Sequence, residues 1–443
     1  MYRFIEKELS SWKKGLNRLP LIVRGARQVG KTYTIESFGN KAFESFVSIN
    51  FELKPEFKKS FENLDPQRII DNLEFLTNQD ITPGKSLLFF DEIQECPMAL
   101  MALRYFKEKM PEQHVIAAGS LLEFALHDER FSYPTGRVQF MHMGPLSFKE
   151  YLQAIGQEKP LDALASFSLA NPPSIAMHEH LLRFVREYYF IGGMPAVVQL
   201  YRQEQSVLKC NRLQTALYQT YKNDFGKYAS KAAHKYLQRL YEKAPYLVAK
   251  HFQYTKIDSD MRSRDLKQAL EQLCHANLIH QVFATKANGL PLEASVNDKK
   301  FKILFLDIGL LQAGLKLDSP AIWEEDLDLI NEGALAEQFV GQELLANQDV
   351  YQEKKLYFWE REKKTSAAEV DFIASYRSSI VPIEVKAGST GSLRSLHQFM
   401  EERKVPVGVR ISQSPLAFEK GILSVPFYLI AEIPNLVRAL PNA

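Results

Sequence analysis

Gly25-Ala26-Arg27-Gln28-Val29-Gly30-Lys31-Thr32 decides the reading of this chain. It follows the apolar run Leu21–Val23 and precedes a stretch that reads as a helix. Glycines at the first and sixth positions let the backbone curl so that successive N–H groups face inward, toward phosphate oxygens. The start of a helix adds the positive end of its dipole. Lys31 supplies a point charge for β- and γ-phosphates, and the Thr32 hydroxyl is a ligand for Mg²⁺. The whole loop, with Tyr33 behind it, is therefore the candidate nucleotide site.

Working outward, the first 150 residues alternate strands and helices. Candidate strands are Leu21–Gly25, Ser45–Phe51, Ser86–Ile93, Val115–Gly119 and Arg137–Met143. Most are short apolar runs without clean alternation, the pattern of strands covered on both faces. The fold class expected is α/β, with a mostly parallel sheet. Leu87-Leu-Phe-Phe90 ends in Asp91-Glu92. Asp91 is placed to hold Mg²⁺, and Glu92 to orient and deprotonate an attacking water. Ser120 follows the next strand and is the candidate sensor of the γ-phosphate. Arg137, after Gly136, is a candidate arginine finger, acting within its own chain or on a neighbour.

These motifs, with Gly144-Pro-Leu-Ser-Phe-Lys-Glu-Tyr151, Gly192-Gly-Met-Pro195 and Phe301-Lys-Ile-Leu-Phe-Leu-Asp-Ile-Gly-Leu310, resemble the AAA-type P-loop ATPases of bacteria and archaea. The resemblance spans nearly the whole chain. It implies an ATP-binding and ATP-hydrolysing core, a helical lid and winged-helix middle region, and a carboxy-terminal nuclease-like domain of uncharacterised role. The expected division is 1–175 for the ATPase core, 176–234 for the lid, 235–330 for a winged-helix-like domain and 331–443 for the nuclease-like domain. A second sensor arginine stays open among Arg183, Arg186 and Arg202.

In the middle region Glu179–Ile191 carries Leu181, Leu182, Val185, Tyr188 and Tyr189 at helical spacing, and a further helix runs through Leu208–Tyr221. Next come a helix over Tyr236–Lys250 and another capped by Ser263, with Leu266, Ala269, Leu270 and Leu273 on one face. Two β-like segments, Leu278–Ala284 and Phe301–Leu306, complete the outline of a winged helix. Such a module reads DNA or docks a protein. The tract Lys222–Tyr236 mixes bases with aromatics, and His275 and His280 read as loop or core residues. Acidic Glu324–Asp328 marks a boundary.

The last region holds a second constellation. Glu337 lies on an apolar helix stripe with Val340 and Leu344, where a carboxylate is costly unless paired or metal-bound. By period-two alternation Asp371 shares a strand face with Ile373, and Glu384 shares one with Lys386. Acid, then acid-x-Lys on adjacent strands, resembles the PD-(D/E)XK nuclease pattern. That resemblance implies Glu337, Asp371 and Glu384 as oxygen ligands for Mg²⁺ or Mn²⁺, with Lys386 positioning water or neutralising the phosphorane. Trp359, Arg361, Lys363 and Lys364 are candidates to touch a nucleic-acid backbone.

Composition sets outer limits. The chain has 443 residues, 46% hydrophobic, with 55 Lys plus Arg against 53 Asp plus Glu and a net charge of +2. That balance excludes polyanion binding by bulk charge and leaves any nucleic-acid surface local. No apolar run reaches the ~20 residues of a membrane span. Cys96, Cys210 and Cys274 are too scattered for a disulfide framework or zinc knuckle. The expectation is a cytoplasmic ATPase that binds ATP and Mg²⁺, with DNA, RNA or a protein as partner, self-association as a further option, and no membrane. Its nucleotide state would control the nuclease-like domain; the alternative is a nucleotide switch or scaffold whose nuclease-like domain is inert.

Overall fold

The computed structural model describes residues 1–120, 122, 136–227, 231–317, 333–361, 368–388 and 391–440. Lys363, Lys364, Tyr228 and the boundary at Glu324–Asp328 lie outside them. The chain divides into two compact units. The first is residues 1–144 with 275–278 and 349–354, and the second is the remainder.

In the first unit, β1 (Leu21–Arg24), β2 (Ser45–Asn50), β3 (Ser86–Asp91), β4 (His114–Ala118) and β5 (Gln139–His142) form a sheet in the order β2-β3-β4-β1-β5. All four pairings are parallel. These are the five strands expected from sequence, with ends differing by at most two residues. Helices α1 (Ile5–Lys14), α2 (Lys31–Ala42), α3 (Pro66–Thr77) and α4 (Pro97–Lys109) cover the sheet. Ile22, Val47, Ile49, Leu88, Phe90, Val115 and Ala117 pack under Ile69, Leu73, Leu103 and Phe106 of α3 and α4. Leu87, Phe89 and Ile116, one position out of phase with that set, are equally buried. Coverage on both faces explains why the strands read as continuous apolar runs. It also leaves the carboxyl ends of the strands as the open edge, where ligands bind in such sheets.

The second unit is built on an eight-stranded mixed sheet. Its strands are β6 (Ile279–Thr285), β7 (Val296–Phe305), β8 (Leu356–Glu360), β9 (Glu369–Tyr376), β10 (Ser379–Val385), β11 (Gly408–Ser412), β12 (Ala417–Glu419) and β13 (Ile422–Pro426). The order is β12-β13-β11-β10-β9-β8-β6-β7. β6 and β7 make the antiparallel hairpin expected of a wing. The other edge of β6 pairs in parallel with β8, so one sheet takes strands from both sides of residue 330. Leu266, Ala269, Leu270 and Leu273 are all buried, as their spacing predicts. Ser263 is already helical, and the Arg262 carbonyl accepts from Leu266 N, so the cap sits one residue earlier than expected.

The two conspicuous glycine motifs meet here. Gly192 has φ +67°, and a Cβ on it would lie 2.4 Å from Asp307 Oδ1. Gly193 N donates to Asp307 Oδ2 at 2.6 Å, while Gly309 N and Leu310 N donate to Oδ1. Asp307 caps the helix Ile308–Leu315 and pins the Gly192-Gly193 turn with one carboxylate. The motifs resembling the AAA-type family are therefore partly structural.

Candidate nucleotide and acidic sites

The loop 25–32 sits at the carboxyl edge of β1. Gly25 has φ +146°, and a Cβ there would meet the Met143 carbonyl oxygen at 2.0 Å, so this position admits only glycine. Gly30 (φ +93°) turns the chain into α2. Gln28 also adopts positive φ, while Ala26 and Val29 are buried and hold the loop down. Arg27 lies 3.9 Å from Glu52, and Tyr33 is 56% exposed beside the loop.

Lys31 is buried, and its ammonium donates to the Gly25 and Ala26 carbonyls at 2.9 and 2.8 Å. Burial pulls its pKa down to about 8, opposed by the charges of Glu92 and Asp91. Thr32 Oγ1 donates to Asp91 Oδ2 at 3.0 Å. Asp91 is buried at the end of β3, and burial next to Glu92 pushes its carboxyl up. A hydroxyl and a buried carboxylate oxygen in contact fit the donor set of Mg²⁺, a hard cation that prefers oxygen. Glu92 has φ +49°. Burial would raise its pKa, but Gln94 Nε2 (2.7 Å), Ser120 N (3.2 Å) and the Lys31 charge hold the carboxyl below its ordinary value. It is ionised, as a base must be.

Three residues of this site carry no motif. Asn50 Nδ2 donates to Asp91 Oδ2 at 3.0 Å, from the last position of the neighbouring strand. Gln94 steadies Glu92. Arg3 donates to the Val29 and Gly144 carbonyls at 2.9 Å each, bracing the loop from the amino terminus. Only the parallel register Asn50↔Asp91 could have marked Asn50 in advance.

Arg137 is not brought to this site within its own chain. Gln139 pairs with Leu21, the first residue of β1, so Arg137 lies at the amino-terminal edge of the sheet, opposite the loop. Its guanidinium pairs with Glu108 at 3.1 Å. In the other unit, Arg186 donates to Gln413 at 3.4 Å, Arg183 contacts His180 at 2.6 Å, and Arg202 is exposed.

The second constellation converges around a residue that the acid, acid-x-Lys pattern does not include. Lys302, on β7, is 3% exposed as a side chain. Its Nζ lies 3.2 Å from Glu337 Oε2 and 3.7 Å from Asp371 Oδ1, and it also pairs with Glu369. Burial would lower its pKa, but Glu337, Asp371 and Glu369 raise it well above the ordinary value. Burial pushes Glu337 and Asp371 up, against the pull of Lys302. His251 Nε2 lies 2.6 Å from Glu369 Oε2. Asp371 Oδ2 accepts from Val385 N at 2.8 Å, and Lys386 donates to Glu384 Oε1 at 2.7 Å. The nuclease-pattern residues are thus close, but among the described residues no three His, Cys, Asp or Glu side chains are arranged to hold a metal ion.

Two expectations need correction. Asp371 and Ile373 do not share a face. The register of β8 and β9 shifts between Tyr357 and Trp359, so Val370 and Ile373 pack with Trp359 and Phe399. Phe372 meets Gly341, on the same helix as Glu337. A bulge adds a residue and turns Asp371 toward Glu337. Trp359 is buried edge-to-face on Phe399, 5.2 Å between centroids, and Arg361 pairs with Glu402 at 2.7 Å. Trp359 is thus not presented to a nucleic-acid backbone. In the tract Lys222–Tyr236, Phe225 is core and Lys222 pairs with Glu242.

Residues 17–152 match the family model described as "AAA domain". Residues 182–321 and 332–430 match two models described as domains of unknown function (DUF8612 and DUF4143). No curated protein matches the chain. Among solved structures, a Walker-type ATPase of Pyrococcus abyssi is similar at 14% identity and TM-score 0.46, over 70% of this chain and 95% of that one. The Aeropyrum pernix ORC1 protein, solved in complex with DNA, is similar at 10% identity and TM-score 0.28, over 71% and 90%. The Thermotoga maritima RuvB Holliday junction branch migration motor is similar at 14% identity and TM-score 0.29, over 64% and 89%. Residues 17–152 form an AAA-type ATPase domain.

Proposed function

We propose that this protein binds ATP at Gly25–Thr32, hydrolyses it, and uses the nucleotide state to control the rest of the chain. One observation carries the reading: Lys31, Thr32, Asp91 and Glu92 meet at the open edge of the parallel sheet, with Thr32 and Asp91 in direct contact. Phosphate oxygens would replace the Gly25 and Ala26 carbonyls as partners of Lys31. Thr32 and Asp91 would hold Mg²⁺, which supplies charge neutralisation at the phosphates when bound. Glu92 accepts the proton of the attacking water, and Ser120, against Glu92, positions that carboxylate.

Lys31→Ala should weaken ATP binding by about tenfold or more, since a charge-assisted contact to phosphate is lost. Glu92→Gln should spare binding and slow turnover by about 10²-fold or more. Calorimetry and phosphate release measure the two. Turnover equal to the parent in both variants would show the residues to be wrongly assigned.

For residues 331–443 two readings follow from the nuclease-like pattern. In one, Glu337, Asp371 and Glu384 hold Mg²⁺ or Mn²⁺ and Lys386 faces the scissile phosphate of DNA or RNA. In the other, the region is inert as a nuclease and docks a protein or nucleic-acid partner in one nucleotide state, by differential affinity. Lys302 among the acids favours the second. Its test is a pull-down comparing ATP-loaded Glu92→Gln protein with the ADP state, beside a cleavage assay with both metals. Metal-dependent cleavage that vanishes in Lys386→Ala would restore the first.

A further inference from the structure

The acidic cluster of the second sheet has the ingredients of a divalent-metal site and a lysine in the middle of it. Lys302 reaches in from β7, inside the run Phe301–Phe305, where every neighbour is buried. Gly341 gives Leu304 room under the helix Ala334–Ala346; a Cβ there would meet Leu304 Cδ1 at 2.2 Å. Lys302 shares the strand face of Leu304 and meets Glu337, four residues before Gly341 on that helix.

The distances to Glu337 and Asp371 suit an ammonium. Nζ stands 3.2 Å from Glu337 Oε2 and 3.7 Å from Asp371 Oδ1. A hard divalent ion draws its oxygens in to about 2.0–2.6 Å. Asp371 has no free oxygen: Oδ1 faces Lys302 and Oδ2 accepts from Val385 N. Glu369 is shared between Lys302 and His251. Glu384 Oε2 is buried without a hydrogen-bond partner, while Oε1 is taken by Lys386.

We infer that Lys302 occupies the cation position of this cluster and excludes divalent metal from it, so that removing the lysine charge opens a Mn²⁺ site on Asp371, Glu337 and Glu384. Lys302 with Glu337, Glu369 and Asp371 forms an internal charge cluster that ties the β6–β7 hairpin to the helix and strands beyond it. The unpartnered Glu384 oxygen is the ligand a metal would claim once the ammonium is gone. This deepens the inert reading of residues 331–443 and rests on it in one respect only, that Asp371 carries no metal in the natural chain.

The test is a titration of the nucleotide-free, full-length chain with Mn²⁺, following the signal of the free ion by electron paramagnetic resonance. In the wild-type background Asp371→Asn should leave the titration unchanged, whatever Mn²⁺ Thr32 and Asp91 take up. Lys302→Met should bind Mn²⁺ at least about tenfold more tightly than wild type, because a buried positive charge no longer opposes the ion. Asp371→Asn in that background should abolish the gain. Should Lys302→Met not fold, Lys302→Met with Glu369→Gln removes one charge of each sign and keeps the three ligands. The wild-type titration decides on its own terms: Mn²⁺ bound by wild type and lost in Asp371→Asn overturns the inference. A folded lysine variant that gains no Mn²⁺ overturns it too, and leaves the docking reading standing. Metal binding and cleavage by wild type would end both.

Discussion

Lys31 is the side chain at which charge would couple to a phosphate ligand. Without phosphate its ammonium is buried among carbonyls, and its pKa falls to about 8. Phosphates would return the pKa toward the ordinary lysine range, because a negative partner favours the charged form. Binding therefore takes up a proton between about pH 8 and the ordinary lysine range, and apparent ATP affinity falls as pH rises through that window. Calorimetry at pH 8.5 in two buffers of different ionisation enthalpy should give different apparent heats. Equal heats would mean that Lys31 is already fully charged. Glu92 behaves oppositely: Gln94, Ser120 and Lys31 outweigh its burial and keep it ionised at neutral pH.

At the scale of elements, Asp307 joins the turn after the helix Ile175–Ile191 to the start of the helix Ile308–Leu315. It is fully buried, and burial raises its pKa to about 6 despite the N–H groups of Gly193, Leu310 and Gly309. Oδ2 accepts from both Gly193 N and Gln342 Nε2. Asp307→Asn would place an amide donor against donors on one side. The variant should lose about 2–4 kcal/mol of stability in urea unfolding, from buried groups left unpaired. A loss below about 0.5 kcal/mol would show that the turn does not depend on this carboxylate. The bulge in β9 is the second device of this scale: one inserted residue sends Asp371 toward Glu337 while Ile373 stays in the core with Trp359.

At the scale of the molecule, each sheet collects its chemistry by topology. In the five-stranded sheet the parallel strands put Asn50, Asp91 and the 25–32 loop at one edge, and Arg137 at the other. Arg137→Ala should leave turnover per chain within about twofold at concentrations where sedimentation shows a monomer, an exposed ion pair being worth little. A loss appearing only as copies assemble would assign Arg137 to a neighbour's site. A full loss in the monomer would contradict the placement. Among the described residues no helix is long and apolar enough to cross a membrane.

Much of this was readable from local pattern. The loop 25–32, the acid pair after an apolar strand, and the buried faces of Leu181–Tyr189 and Leu266–Leu273 depend on spacing along the chain, which sequence records directly. Lys302 left a weak trace, a lysine inside an apolar strand; nothing near it in sequence says that Glu337, Glu369 and Asp371 surround it. The partners of Asn50, the edge on which Arg137 falls and the direction of Asp371 depend on strand order, register and a bulge. Those are settled when distant segments pair across a sheet. The chain by itself therefore determined the parallel α/β core and the loop and acid pair at its carboxyl edge. Tertiary pairing alone decided that the second cluster of acids has a lysine at its centre, because a charge is buried only where the fold brings its counter-charges.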